Sequence, residues 1–487
     1  MKRIYGVWFS MLLVSFVILI TFPLELHFDE AQYWSWAERL QASYYSKPPL
    51  IAYLNYISTS ILGKTEIAVR LWSWLFANLT SLLFYRWVLF LTSDKKRTLK
   101  ALCLYYFFPH YWYTVIFFTT DVLLLFFYMG AILFITKISK NDRLRYWVIL
   151  GIFAGLGVLS KYAMIAGLLP LSFILLSGNR FSKIHVLIFL CITLMGCIPI
   201  LLWASSNDFI SFKHLLGLTV SGREFSVLRS FRNLFEFLGG QLVLLGGLLF
   251  IPIFKGISKC LKEETLLFKL VLLPYLLVIL MFSVLSFTRH SASHINWTLF
   301  IVCPMPLILL LGIEQIKNKQ WIYLSIIFTT FSYLLLFDGL YQGDNSLLAK
   351  TVPINKVTRR LVGWNELNEK LEEVTMDSKH IVIVCSHYSI FSELCFYGSK
   401  KYDLIYYNPS CRMNQYDLWM EPTYDFYKGW DAYIISEHKS IKCYKDHFLN
   451  MDSISTFKYE NQAYQGKSFY LYKVSGINFT NINKSKY

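Results

Sequence analysis

Five charged side chains stand in this sequence where the surrounding residues are mostly apolar or aromatic. Asp29 and Glu30 open "FDEAQYWSWAERL", Lys47 precedes two prolines in "YYSKPPL", Asp121 interrupts "FFTTDVLLLFFY", and Lys161 interrupts "GLGVLSKYAMIAG". A carboxylate held just above a bilayer can act as a base on a water-soluble or amphiphilic acceptor. The same acids can instead complement the macrodipole of a helix that they open. Pro48 and Pro49 put Lys47 on a stiffened turn, from which its ammonium can snorkel to the interface or neutralise a phosphate. Tyr44 and Tyr45 beside it offer hydroxyl donors, and Pro49 can begin an amphipathic helix through about Leu62.

Asp121 is costly in mid-membrane, by about 2.5–3.5 kcal/mol. It is therefore expected at the outer end of two spans, either as an N-cap or as a second working carboxylate within reach of Asp29. Lys161, flanked by Ser160 and Tyr162, is a cation on the outer side and calls for an anionic partner. "RHSASHIN" adds Arg289, His290 and His294 on the same side. The two histidines are four apart and would form a metal pair if helical, but no acidic ligand lies close in sequence. No Gly-rich nucleotide loop is visible and the residues identify no cofactor, while a divalent metal stays open. Between Asn207 and Asn233, Asp208, Lys213, His214, Arg223, Arg229 and Arg232 either solvate a loop or hold an anionic acceptor.

The elements that must position these groups are membrane helices. Of 487 residues 55% are hydrophobic and only 16% charged, against about 25% charged in soluble domains. Apolar runs near 4–24, 66–91, 101–118, 122–138, 146–160, 163–178, 184–204, 236–254, 266–287, 295–313 and 321–340 give about eleven spans (eleven to thirteen) at roughly 20 residues each. The first run lacks a small-x-small cleavage site and reads as a retained anchor. The net charge of +16 is gathered in alternate loops, as at Lys95, Lys96 and Arg97 or Lys255, Lys259 and Lys262. That pattern is positive-inside topology, places the N-terminus in the cytoplasm, and argues against nucleic acid as a partner. An odd count puts the loops 25–65, 119–121, 160–162, 205–235 and 288–295 on one outer face.

From Tyr341 to Tyr487 charges, Asn and Tyr become frequent and no span appears. "HIVIVCS", "DLIYY" and "WDAYIIS" read as strands and "SIFSELCFYG" as a helix closed by Gly398, so a small α/β domain is expected on the outer face. The division is thus 1–340, a membrane domain with outer juxtamembrane helices at 28–65, and 341–487. Cys385, Cys395, Cys411 and Cys443 lie in the tail, where an oxidising compartment would permit one or two disulfides.

"FDEAQYWSWAERL…YYSKPPLIAYL", "TTDVLLLFFY", "LSKYAMI" and "INWTLF" occur in the order found in polyprenyl-phosphate-dependent membrane glycosyltransferases. The sequence resembles the bacterial branch of that family, related to protein O-mannosyltransferases and lipid A aminoarabinose transferases; "CRMNQYDLW" at 411–419 also looks like that branch's tail region. The resemblance implies a GT-C type fold and transfer of a sugar, with inversion, from a polyprenyl-phosphate donor to a lipid A, glycan or protein acceptor. Asp29 matches the first-loop catalytic aspartate, with Glu30 beside it, and Asp121 the second acidic position. Lys47 matches a donor-phosphate ligand with Tyr44 as neighbour, and Lys161 and Tyr162 match the Ser-Lys-Tyr element. Thr119-Thr120-Asp121 replaces the more usual Thr-Pro-Asp, and Ser46 stands where lipid A transferases tend to have Glu.

On this reading Lys47, helped by Lys161 or Arg289, stabilises the departing phosphate, and Asp29 takes the acceptor proton. The expected setting is a bacterial inner membrane with the tail in the periplasm. The rival from another class is a lipid or glycan transporter, which would show inverted repeats and helices broken at the midplane; neither is visible in the sequence.

Overall fold

The computed structural model describes residues 2–176, 181–217, 226–263, 265–289, 293–376, 382–409, 413–441, 444, 447–460 and 463–479. The chain divides into two compact units, one of Met1–Thr21, Gln41–Leu54 and Arg70–Ser332, the other of Phe22–Leu40, Asn55–Val69 and Tyr333–Tyr487. The stretch 28–65, which the sequence reading joins to the membrane part, is therefore shared. Only its middle, from Gln41 to Leu54, belongs to the first unit.

The first unit is helical. Among the described residues six helices of the chain are long and apolar enough to cross a membrane: Arg3–Thr21, Glu66–Thr92, Thr120–Lys140, Lys183–Ser206, Phe268–Thr288 and Gln320–Asn345. The pair Ile295–Val302 and Met305–Gln315 is long and apolar enough only when taken together, and it is bent by 65° where Pro304 and Pro306 stand. The other expected spans are short or broken, for local reasons. Lys95–Tyr105 and Pro109–Ile116 are separate helices, divided just before Pro109. The expected run at 236–254 is not one helix. Val227–Leu244 stops, Gly246 and Gly247 take positive φ (87° and 57°), and Phe250–Glu263 starts anew.

Polar residues tie the helices where apolar contacts with lipid would not distinguish partners. Asn78 Nδ2 donates to Ser15 Oγ (3.0 Å), Trp8 Nε1 donates to the Asn78 carbonyl (3.1 Å), and the Tyr111 hydroxyl donates to Asn78 Oδ1 (3.2 Å). One buried amide thus joins three helices.

The second unit holds a five-stranded sheet of β1 (Val382–Cys385), β2 (Asp403–Tyr406), β3 (Ala432–Ser436), β4 (Asn450–Glu460) and β5 (Gln465–Ser475), in the order β2-β1-β3-β5-β4. β1 is parallel to β2 and β3, with Val384 opposite Ile405 and Ile434, whereas β5 is antiparallel to β3 and β4. β1 and β3 are buried throughout, which is why they read as unbroken apolar runs. The hairpin β4–β5 carries alternating polar and aromatic residues and escapes a search for such runs. Helix Phe28–Ala37 packs on helix Tyr388–Tyr397 in this unit. Ser35 Oγ shares a 2.7 Å hydrogen bond with the Tyr416 hydroxyl, which shares another of 2.7 Å with Ser392 Oγ. Glu25 receives Trp364 N (2.8 Å), Asn365 N (3.0 Å) and Asn365 Nδ2 (2.7 Å), and so caps helix Trp364–Thr375. Cys385 and Cys395 are free thiols; Cys411 and Cys443 lie outside the described residues.

Helices Phe250–Glu263 and Met305–Gln315 meet at two glycines. A Cβ on Gly312 would overlap the Pro252 carbonyl, and one on Gly256 the Ile308 carbonyl. Gly312→Val should force the backbones apart and lower stability by about 1–3 kcal/mol, read as a lower unfolding temperature of the detergent-solubilised protein. The same change at Gly239, where a Cβ meets nothing within 4 Å, should be nearly neutral.

Candidate functional site

In the first unit the sequence-selected groups gather around a buried ion pair. Lys161 Nζ donates to Asp121 Oδ1 at 2.6 Å, and Asn296 Nδ2 donates to Asp121 Oδ2 at 3.1 Å. Asp121 is only 2% exposed and Lys161 8%. Asp121 is the second residue of helix Thr120–Lys140 and is not its N-cap, which is Thr119. The alternative of an Asp121 N-cap is thereby corrected. At that position the carboxylate still gains from the helix dipole. Lys161 sits just past helix Leu144–Ser160 in extended conformation (φ −160°, ψ 133°), a geometry that turns it out of the helical path. The anionic partner that its position demanded is Asp121.

The "YYSKPPL" segment is a tight turn in the same unit. Tyr44 N donates to the Lys47 carbonyl (3.1 Å), and the Pro49 carbonyl receives Ala52 N (3.0 Å), starting helix Leu50–Leu62 where the prolines predict it. The turn is pinned through Gln41. Tyr53 hydroxyl donates to its carbonyl (2.8 Å) and Trp203 Nε1 to its Oε1 (3.1 Å). Tyr44 is fully buried, its hydroxyl accepting Gln41 N at 3.2 Å. Burial pushes the phenol pKa up, so the group keeps its proton. Tyr162 is likewise shifted up by burial, and its hydroxyl lies 3.5 Å from Ser43 Oγ. The Tyr45 ring packs at a tilt against that of His214, 4.6 Å between centroids. Arg289 ends helix Leu273–Thr288 and lays its guanidinium 5.2 Å from the Trp297 ring centre. His290 and Arg223 lie outside the described residues, so the proposed histidine pair is not described. Among the described residues no three His, Cys, Asp or Glu side chains converge as a metal site would require.

In the second unit, Asp29 and Glu30 occupy the first turn of helix Phe28–Ala37, but they differ. Glu30 is fully buried and its Oε2 accepts His27 N at 3.0 Å, closing a capping box. His27 Nδ1 accepts Asp29 N at 3.3 Å. Asp29 keeps its side chain 39% exposed, with its Oδ2 3.8 Å from His27 Nδ1. One acid therefore builds the helix and the other faces outward. Phe28, next to Asp29, lines a cavity of about 410 Å³ with Ser386, His387, Asn408, Ser436 and Lys467. The cavity lies beyond the carboxyl ends of β1, β2 and β3, the usual position for ligand crevices in parallel sheets.

His27 and Asn296 are the working residues that motif reading did not assign. His27 carries a local signal, a polar side chain just before an acidic first turn. Asn296 had only the shared "INWTLF" string, because its contact with Asp121 spans 175 positions.

A multi-pass helical membrane protein with an α/β unit is the class that these features define. Over 96% of its length the chain follows the crystal structure of ArnT from Cupriavidus metallidurans in the apo state, covering 97% of that chain at 12% identity and a TM-score of 0.62. Against the same protein bound to undecaprenyl phosphate the TM-score is 0.64, at the same identity and coverage. The fold is thus the GT-C type that the resemblance implies. Residues 46–203 match the family model described as dolichyl-phosphate-mannose-protein mannosyltransferase. Lipid A galacturonosyltransferase RgtD from Rhizobium johnstonii is 26% identical over 260 residues, covering 51% of this chain and 53% of that protein. The chain spans about half the length of the curated relative it matches.

Two outcomes test this geometry. Asp121→Ala leaves the Lys161 charge buried without its partner and should destabilise by about 3–5 kcal/mol; the double variant Asp121→Asn with Lys161→Gln should recover most of that loss in thermal unfolding. Second, burial holds the His27 imidazole below its ordinary pKa, against the opposing pull of Asp29 and Glu30. A depressed histidine stabilises the fold above its unfolded pKa of about 6.5 and loses that contribution as pH falls below it. His27→Asn, which can still cap, should flatten the acid limb of the stability–pH curve below about pH 6.5.

Proposed function

We propose that the chain is a membrane glycosyltransferase that moves a sugar, with inversion, from a polyprenyl-phosphate donor to an acceptor of the lipid A, glycan or protein type. The observation that carries this reading is that the family match at 46–203 encloses Lys47, Asp121, Lys161 and Tyr162, three of which lie on one tight turn or in one buried ion pair. The bound undecaprenyl phosphate of the structural neighbour and the lipid A substrate in the curated relative's name support the donor and acceptor classes.

In this reaction the phosphate leaves as an anion, so its charge must be met. Lys47, on a proline-stiffened turn, is the primary ligand, with the protonated Tyr44 hydroxyl as its neighbour. Lys161 gives one N–H to Asp121 and has two more to offer a phosphate oxygen. Asp121 and Asn296 fix its direction, which makes Asp121 a positioning acid, and Tyr162 and Arg289 add donors. Asp29, the acid of its pair that remains exposed, accepts the proton of the attacking hydroxyl while Glu30 holds the helix that carries it. The setting is a bacterial inner membrane, with about eleven spans once short and broken helices are counted. The N-terminus is cytoplasmic, and the membrane domain of 1–340 is followed by a periplasmic α/β domain at 341–487.

Purified protein incubated with radiolabelled polyprenyl-phosphate sugars and membrane extract should yield a labelled glycoconjugate. Asp29→Asn should cut turnover by about a hundredfold or more with unchanged thermal unfolding; near-parental turnover removes the base assignment. Lys47→Ala should raise the KM for donor by about tenfold or more, the scale of one charge-assisted hydrogen bond, and equal donor affinity in the two proteins removes the phosphate role.

A further inference from the structure

The second unit contains a larger cavity, of about 600 Å³, that the transfer reaction does not use. Its walls come from the end of helix Phe28–Ala37 and the residues after it, from Tyr56 to Lys64, from helix Tyr388–Tyr397, and from Trp419 and its neighbours. This volume is in the range of small-ligand pockets, roughly 300–1,000 Å³. What distinguishes it is its charge. Arg39, Lys64 and Lys400 line it against a single acid, Glu38.

The cations are held beside aromatic rings. The Lys64 ammonium lies 5.3 Å from the Trp34 ring centre and 5.7 Å from that of Phe396, and the Arg39 guanidinium 5.3 Å from that of Trp419. Lys64 has no ion-pair partner among the described residues. Trp34, 5% exposed, also lines the cavity, and its indole N–H is buried with no hydrogen-bond partner. A buried donor without an acceptor is destabilising, and this one lies in the wall of the cavity. The Lys64 side chain is exposed, and partial desolvation of its ammonium lowers the pKa.

Next to the cavity, the helix that supplies Tyr56, Thr59 and Ser60 exposes Ile57 (45%), Ile61 (75%) and Leu62 (50%). In a multi-pass membrane protein such an apolar face meets acyl chains. A cationic cavity with an unsatisfied donor, bordered by an exposed aliphatic face, has the chemistry of one ligand class. We propose that this cavity binds the headgroup of an anionic lipid, a phosphate or carboxylate amphiphile whose chains lie along Ile57, Ile61 and Leu62. The site is separate from Asp29 and its neighbouring cavity, and it stands whether or not the chain transfers sugars.

The test is native mass spectrometry of the full chain in detergent, titrated with phosphatidylglycerol or phosphatidylcholine. The parent should retain one phosphatidylglycerol with about tenfold or greater preference over phosphatidylcholine, because its basic side chains attract an anionic headgroup. Lys64→Glu with Lys400→Glu, both exposed side chains, should abolish the preference without lowering the unfolding temperature. Ile61→Asn should weaken retention and leave the preference. Equal retention of both lipids by the parent, or unchanged phosphatidylglycerol binding in the charge-reversed variant, overturns the proposal. Complete displacement by millimolar glycerol 1-phosphate also overturns it, since a free anion would then suffice.

Discussion

The contact on which the buried polar cluster of the membrane unit depends is the pairing of Asp121 with Lys161. Neither charge could stand alone at that depth. An isolated ion moved into a low-dielectric interior loses several kcal/mol even after relaxation. Their 2.6 Å separation returns much of that loss, and the Asn296 amide satisfies the second carboxylate oxygen. The pair therefore constrains three segments at once: the start of Thr120–Lys140, the break after Leu144–Ser160, and the Ile295–Thr298 turn. Replacing it with apolar side chains would satisfy packing equally well, as buried ion pairs rarely win on stability alone. What the pair supplies instead is an ammonium of fixed direction in a buried setting.

A similar division of labour runs through the α/β unit. Helix Phe28–Ala37 could have lain loosely in the headgroup region, since its aromatics suit that environment. Instead eight of its ten residues are buried, and the Ser35–Tyr416–Ser392 chain of hydroxyls locks it to helix Tyr388–Tyr397. A residue on such a helix is positioned to a fraction of an ångström, which a loop does not allow. Asp29 gains that precision because Glu30 and His27 absorb the orphan donors of the first turn.

The legibility of the site in the sequence follows from how far each cause reaches along the chain. Lys47, Asp121 and Lys161 stood out because a charge in an apolar or proline-bound setting is locally anomalous. The turn at Tyr44–Lys47 and the helix after Pro49 followed from proline's fixed φ and missing donor. The strands β1 and β3 were visible as apolar runs because they are buried on both faces, and the edge strand β2 through its apolar Leu404–Tyr406. The β4–β5 hairpin was not, since its alternation mixes Tyr and Phe with Lys and Ser. Pairing was not legible either. Nothing near Asp121 indicates Asn296, and nothing in Glu30 says that it turns inward while its neighbour turns out. Those choices are made by packing. The continuity of spans was hidden in the same way, at Pro109 and at Gly246–Gly247, where hydropathy continues through a break in the helix.

These breaks also bear on what the helices can do. An uninterrupted span presents only side chains at depth, with every backbone group consumed by its own ladder. Where Gly246 and Gly247 stop one helix, or Pro304 and Pro306 bend another by 65°, backbone polar groups leave the ladder and need partners inside the protein. Such positions are tolerated only when packed, and the Gly256–Gly312 contact next to them provides that packing, carbonyl against Cα. The close helix crossing supports the irregular segments, and the Ile295–Thr298 turn before the bend carries Asn296 to Asp121 and Trp297 to Arg289. The same small-residue contact that a hydropathy profile ignores is what lets a membrane bundle carry a polar site without losing its fold.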